Sequence, residues 1–177
     1  MTTGNEYGKA LFLLAEESGI SEKVLADITA ANEIFSKNPE YVKLLDTPAI
    51  TKSEKLRLVD EAFSSLNEYV RNLIKILCEK HSVFSFGEVS KSYTALYNES
   101  RGIEHVEAVT AVLMTKAQLD RMAKKLADMT GKRIIIKNTV DPGILSGVKL
   151  RYSGIQLDGS VKTRLDKFEE SLKNTVI

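Results

Sequence analysis

A mainly α fold, an N-terminal six-helix bundle followed by a small α+β C-terminal domain, is predicted by three features of the sequence. Apolar residues recur at spacings of three and four from Tyr7 to Tyr97, the period of amphipathic helices. From His105 to Val112 the period falls to two and β-branched residues become frequent, which marks a strand. Residues 141–160 then collect Pro142 with Gly143, Gly147, Gly154 and Gly159, a run of turn chemistry. The period changes at Gly102, so the expected domains are residues 1–102 and 103–177.

Each helix of the first half has its own signals. Tyr7, Ala10, Leu11, Leu14 and Ala15 share one face of the first, and Gly19 ends it before Ser21 starts the second. Val24, Leu25, Ile28, Ala31 and Phe35, with Ile34 nearby, form the buried stripe of that second helix. Asn38-Pro39 reads as an N-cap followed by proline at the first helical position, where its missing N–H costs nothing. That third helix carries Tyr41, Val42, Leu44 and Leu45 and stops before Pro48. Thr51 and Glu54 have the spacing of a capping box, with Leu56, Val59 and Phe63 following. Asn67 opens a fifth helix whose apolar arc is broad, because Leu73-Ile74 and Ile76-Leu77 cover more than one stripe. Such an arc belongs to a central helix or to one that also offers a docking face. Phe84, Phe86, Val89, Tyr93, Leu96 and Tyr97 are assigned to a sixth helix, ending at Arg101-Gly102.

In the second half, Val106, Ala108, Thr110 and Val112 alternate along a strand. Thr115 and Gln118 form a second capping box, opening a helix with Leu119, Met122, Ala123, Leu126 and Met129 on one face and Gly131 at its end. Ile134-Ile135-Ile136 predicts a strand buried on both sides or nearly so. Asp141-Pro142-Gly143 turns the chain into a hairpin, with Gly147 to Tyr152 and Ile155 to Leu157 as its arms and Ser153-Gly154 between them. Asp158-Gly159 turns it again, and Ser160 caps a last helix carrying Val161, Leu165, Phe168 and Leu172.

Composition narrows the function classes. Hydrophobic residues make up 43% of 177, enough for real cores, and charged residues 28%. No apolar run approaches the roughly 20 residues needed to span a bilayer, and no signal or transit segment is visible at the N-terminus. The single cysteine, Cys78, excludes an internal disulfide and fits a reducing compartment. Residues 1–102 hold 12 Lys or Arg against 15 Asp or Glu, a net −3, and residues 103–177 hold 13 against 9, a net +4. That asymmetry is too mild to argue for nucleic acid, and the absence of tryptophan removes one kind of base-stacking platform.

No constellation of residues points to catalysis or a cofactor. Cys78 and His81 stand three apart, but a tetrahedral metal site needs three or four ligands and only His105 and scattered carboxylates remain. Residues 143–147 do not make a phosphate loop, since Gly147 leads into the strand Val148-Lys149-Leu150 and not a helix. Asp141 and Asp158 sit in turns, where aspartate accepts backbone hydrogen bonds. Lys124-Lys125 and Lys132-Arg133 form a modest basic patch that could meet an acidic partner. An interaction or scaffolding module is favoured over a hydrolase or transferase. A helical RNA-binding or antitermination-type module is the alternative reading.

One family matches this pattern at both ends. Asp141-Pro142, the small pair Ser146-Gly147, Gly154, then Asp158-Gly159-Ser160 before a helix with Leu165 resembles the signature of the F-type ATP synthase delta subunit and the mitochondrial oligomycin-sensitivity-conferring protein. Tyr7 to Ala15 resembles the family's opening helix. Ser146 stands where the family usually has the first of two glycines. Gly8 stands where it often has alanine, at an expected cost of about 1 kcal/mol in helix propensity.

The resemblance implies a non-catalytic stator subunit of the peripheral stalk, with no cofactor or metal. It implies an N-terminal domain that receives alpha-subunit N-terminal helices, one of them in a groove between the first and fifth helices. Tyr7, Ala10, Leu11 and Leu14 would line one side of that groove, and Leu73, Ile76, Leu77 and Lys80 the other. The C-terminal domain would bind the C-terminal ends of b-type stalk subunits. Asp141, Pro142, Gly147, Gly154, Asp158, Gly159 and Ser160 are then fold-forming residues. Membrane association would come only through the complex, at the cytoplasmic face of a bacterial inner membrane.

Overall fold

The computed structural model describes residues 3–144, 147–152 and 155–158, with backbone alone for Tyr152 and for 155–158. The chain divides into two compact units, residues 1–100 and 101–177. The first contributes α1 (Thr3–Glu17), α2 (Ser21–Lys37), α3 (Pro39–Asp46), α4 (Lys52–Ala62), α5 (Glu68–Glu79) and α6 (Phe86–Ser100). A 3-10 turn, Val83–Ser85, leads into α6.

One apolar core unites these helices. Val24, Ile28, Ala31 and Phe35 of α2 meet Leu73, Ile74 and Leu77 of α5 and Phe86, Val89 and Tyr93 of α6. Phe35 stands at the centre of an aromatic cluster, 5.2 Å from Phe63 and 5.0 Å from Phe86 between ring centroids. Two hydrogen bonds link polar groups across the core, while Arg71 Nε is buried without a hydrogen-bond partner among the described residues. The Tyr93 hydroxyl donates to the Ser21 carbonyl at 2.9 Å, and Asp27 Oδ2 accepts from the Asn67 backbone N–H at 2.7 Å.

Gly8 does more than weaken its helix. A Cβ there would lie 2.7 Å from Ser92 Cβ and 2.8 Å from the Val89 carbonyl, and one at Gly4 would lie 2.7 Å from Glu88 Cβ. The two glycines, one turn apart on α1, let its backbone close on α6. Ser92 Oγ donates to the Asn5 carbonyl across the seam at 3.2 Å.

Several local expectations need correction. Phe84 lies in the 3-10 turn ahead of α6 and is 71% exposed, because the chain bends at Ser82 before the last helix begins. Asn38 makes no side-chain cap for α3; its Nδ2 instead donates back to the Ile34 carbonyl at 2.8 Å, closing the end of α2. Thr51 Oγ1 accepts from the Glu54 N–H at 3.3 Å and donates to the Glu54 carboxylate at 3.3 Å, but the reciprocal bond from the Thr51 N–H is missing. Thr115 and Gln118 make both halves of their box.

The second unit contains β1 (Ile103–Thr110), α7 (Lys116–Thr130), β2 (Arg133–Val140), β3 (Val148–Tyr152) and β4 (Ile155–Asp158). The strands form one sheet in the order β2-β1-β3-β4, with β1 and β2 parallel and the other pairs antiparallel. α7 is the crossover that a parallel β1–β2 pair requires, and Gly131 ends it at φ 68°. β2 is an edge strand with alternating burial, so Ile135 is exposed where burial on both faces was expected. The first strand stops at Thr110, whose Oγ1 donates to the Val112 carbonyl at 2.7 Å and turns the chain away; Val112 is exposed. The expected last helix, with its cap Ser160, lies outside the described residues.

Candidate partner-docking surface

The eight residues proposed for a groove lie on α1 and α5, which pack against each other. The Ser18 and Tyr69 hydroxyls, 3.3 Å apart, tie the end of α1 to the start of α5. The structure sorts the eight by burial. Leu11, Leu73 and Leu77 belong to the core. Tyr7 is half-buried, and Ala10, Leu14, Ile76 and Lys80 are exposed. Leu14 keeps 49% of its surface and Ile76 43%. The helical period explains the division. In α5, Val70, Leu73, Ile74, Leu77 and Cys78 turn inward, leaving Ile76 outside a stripe that is already full.

Sequence reasoning missed Leu13, which is also exposed on α1. Its signal was the unbroken apolar run Leu11 to Ala15. Five consecutive helical positions at 100° each cannot all face one core. Buried Phe12 was missed as well; its ring meets Tyr93 edge-on at 5.6 Å. The outward residues leave side chains of one chemical kind, aliphatic anchors with the ammonium of Lys80 at the end of α5. That surface can bury the apolar face of a helix but offers no nucleophile or acid–base pair.

Of the signature residues of the second unit, Asp141, Pro142 and Gly147 lie in turns and bends, while Asp158, expected in a turn, ends strand β4. The Asp141 N–H donates to the Thr110 carbonyl at 2.9 Å, its Oδ1 accepts from the Gly143 N–H at 2.9 Å, and its carbonyl accepts from the Ile144 N–H at 3.1 Å. Pro142 occupies the second position of that turn. Gly147 has φ 96°, a left-handed backbone that favours glycine. Asp158 pairs with Lys149 in the β3–β4 register. Gly154, Gly159 and Ser160 lie outside the described residues.

Titratable groups follow the same pattern of structural use. Burial pushes the Cys78 thiol from 9.0 up to about 11, with Asp46 and Glu79 adding to the rise and Lys55 opposing it. Burial also raises the Tyr41 phenol to about 12, and its hydroxyl donates to the Leu58 carbonyl at 3.0 Å. Glu107 is held below the usual carboxylate value, first by the Thr139 hydroxyl and then by Arg151. Cys78 and His81 do not converge on a metal position: Cys78 is buried, and His81 Nδ1 lies 2.8 Å from the Asp46 carbonyl. Among the described residues no three His, Cys, Asp or Glu side chains form a group that could hold a metal ion. Among them no helix is long and apolar enough to cross a membrane.

Comparison with known proteins agrees along the length of the chain. The family model for the ATP synthase delta (OSCP) subunit matches residues 4–172. ATP synthase subunit delta of Clostridioides difficile is 31% identical over 174 residues, 97% of this chain and 96% of that protein. The protein of the same name from Geobacillus is 29% identical over 167 residues, 94% of each. A chain in the structure of the Toxoplasma gondii mitochondrial ATP synthase hexamer superposes with a TM-score of 0.72 at 22% identity, covering 97% of this chain and 98% of that one. This last similarity establishes the fold alone. On the family match and these relatives, the chain belongs to the ATP synthase delta (OSCP) subunit family.

Proposed function

We propose that this chain is the non-catalytic peripheral-stalk subunit of an F1Fo ATP synthase, tying the alpha/beta head to the b-type stalk subunits and resisting rotational torque. The observation that carries the reading is the family match over residues 4–172. In this reading residues 1–102 act as a six-helix bundle domain and residues 103–177 as an α+β domain. An alpha-subunit N-terminal helix lies across α1 and α5, with Leu14 and Ile76 entering its apolar face and Tyr7, Ala10 and Lys80 along the edges. Buried Leu11, Leu73 and Leu77 support the floor beneath. Helix-in-groove recognition of this kind draws most of its affinity from a few apolar anchors. The exposure of Leu14 and Ile76 on helices otherwise packed into a closed core supports this placement. The C-terminal ends of b-type subunits dock on the second domain, and the complex holds the chain at the cytoplasmic face of a bacterial inner membrane.

Reconstitution tests the proposal. Purified F1 head and a soluble b-subunit fragment from the same organism are mixed with and without the chain and resolved by size-exclusion chromatography. The fragment should co-elute with F1 only when the chain is present, and Ile76→Asp should remove F1 from the complex. Association of F1 with the fragment that is indifferent to the chain would refute the linking role.

A further inference from the structure

The sheet of the second unit ends on β2, which pairs with β1 and with no other strand among the described residues. At its two ends the Arg133 N–H donates to the Gly102 carbonyl and the Asp141 N–H to the Thr110 carbonyl. In a parallel ladder both main-chain groups of a residue point to one side, and the side alternates along the strand. The odd-numbered residues of β2 therefore bond to β1, while Ile134, Ile136, Asn138 and Val140 turn their N–H and C=O groups to the open edge. Such an edge is a template for another extended chain.

The side chains restrict which chain fits. Asn138, which accepts from the Met114 N–H just ahead of α7, shares a face with Ile134 and Ile136. Arg133, Ile135 and Lys137 follow one another on the opposite face, all exposed, and Ile135 keeps 40% of its surface. Glu107, opposite Lys137 in the register, is taken by the Arg151 guanidinium at 3.2 Å and the Thr139 hydroxyl at 2.8 Å. A second copy of β2 laid along the edge in either direction would set cation against cation, which is destabilising.

We infer that the open edge of β2 receives an extended acidic segment of another polypeptide, in which two carboxylates flank an apolar side chain at alternate positions. Its main chain completes the ladder, its carboxylates meet Arg133 and Lys137, and its apolar residue lies beside Ile135. Opposite charges and apolar pairs on neighbouring strands stabilise a sheet. A nucleic acid could meet the cations but has no peptide groups to complete the ladder. The inference is independent of the stalk reading, since it uses neither the family match nor the surface on α1 and α5.

The test titrates the full labelled chain at low salt with the capped peptide Thr-Glu-Thr-Val-Thr-Glu-Thr, whose pattern suits either strand direction. Saturable amide NMR shifts are expected along β2. Hydrogen exchange at the Ile134, Ile136 and Asn138 amides should slow severalfold at saturation, while the Ile135 and Lys137 amides, already bonded to β1, keep their rates. Arg133→Glu should weaken binding about fivefold, and lysine in place of one peptide glutamate should restore it; the end that rescues reports the strand direction. The inference is overturned if no saturable shift appears on β2, or if a peptide with both glutamates changed to lysine binds as well. It is overturned too if N-methylation weakens binding neither on the threonines nor on the residues between them, because the edge would then form no ladder. Oligouridylate binding to this face more tightly than the peptide would assign the cations to nucleic acid and refute the proposal.

Discussion

Between α1 and α6, Gly4 and Gly8 let two backbones close until no Cβ would fit. The contact of α7 with β2 is of another kind: Leu119, Met122, Ala123 and Leu126 stay half-buried and Met129 keeps 81% of its surface. The first unit thus encloses its core, with Tyr93, Asp27 and Asn67 bonding across it. The described part of the second buries chiefly β1, through Val106, Ala108 and Val109, together with Ile144. Exposure therefore means different things in the two units. On α1 and α5 an exposed Leu14 or Ile76 is an exception to a satisfied core and singles out a surface. On α7 partial exposure is general, and no single residue stands out from it.

The largest effects should break the closed core. Phe63→Ala removes a fully buried ring from the aromatic cluster and should cost about 3–5 kcal/mol in urea unfolding. Met122→Ala on α7 should cost about 1 kcal/mol or less, since its side chain is only half-buried. Gly8→Ala sharpens the contrast because two effects oppose each other. Helix propensity gains about 1 kcal/mol, while the added methyl meets Ser92 and the Val89 carbonyl inside 3 Å. Overpacking of a backbone seam costs about 1–3 kcal/mol, so the net change should be destabilising, measured by the same unfolding curve. Thr115→Ala, losing a complete capping box, should cost about 1 kcal/mol; Thr51→Ala, losing one half of a box, should cost less.

A smaller effect appears at alkaline pH. The Cys78 thiol and the Tyr41 phenol both ionise at higher pH in the folded chain than when unfolded. Their contribution to stability is therefore complete below pH 9 and declines as pH rises, for Cys78 through about 11 and for Tyr41 through about 12. Stability measured across pH 8–12 should fall over this window, and Tyr41→Phe should flatten the upper part of the fall. A flat profile in the parent would contradict the burial of both groups.

Much of this was legible in the residues. The apolar periods placed all six helices of the first half, and the change at Gly102 marked where strands begin. Periodicity could not say how far a face turns inward, so Tyr7, Ala10, Leu11 and Leu14 read alike although only Leu11 is buried. The same limit hid the open face of β2: three consecutive isoleucines look buried on both faces, but burial alternates along the strand and Ile135 points outward. Gly8 read as a propensity cost because the partner that needs it, Ser92, lies 84 residues away in sequence.

The central claim is that the outward residues of α1 and α5 receive a partner helix. Titrating the labelled chain with a synthetic alpha-subunit N-terminal helix from the same organism, followed by backbone amide NMR, tests it most directly. Saturable shifts should cluster on α1 and α5, and Ile76→Asp should abolish them while the spectrum stays that of a folded chain. A folded parent that shows no shifts at high peptide excess, or shifts confined to other helices, would contradict it.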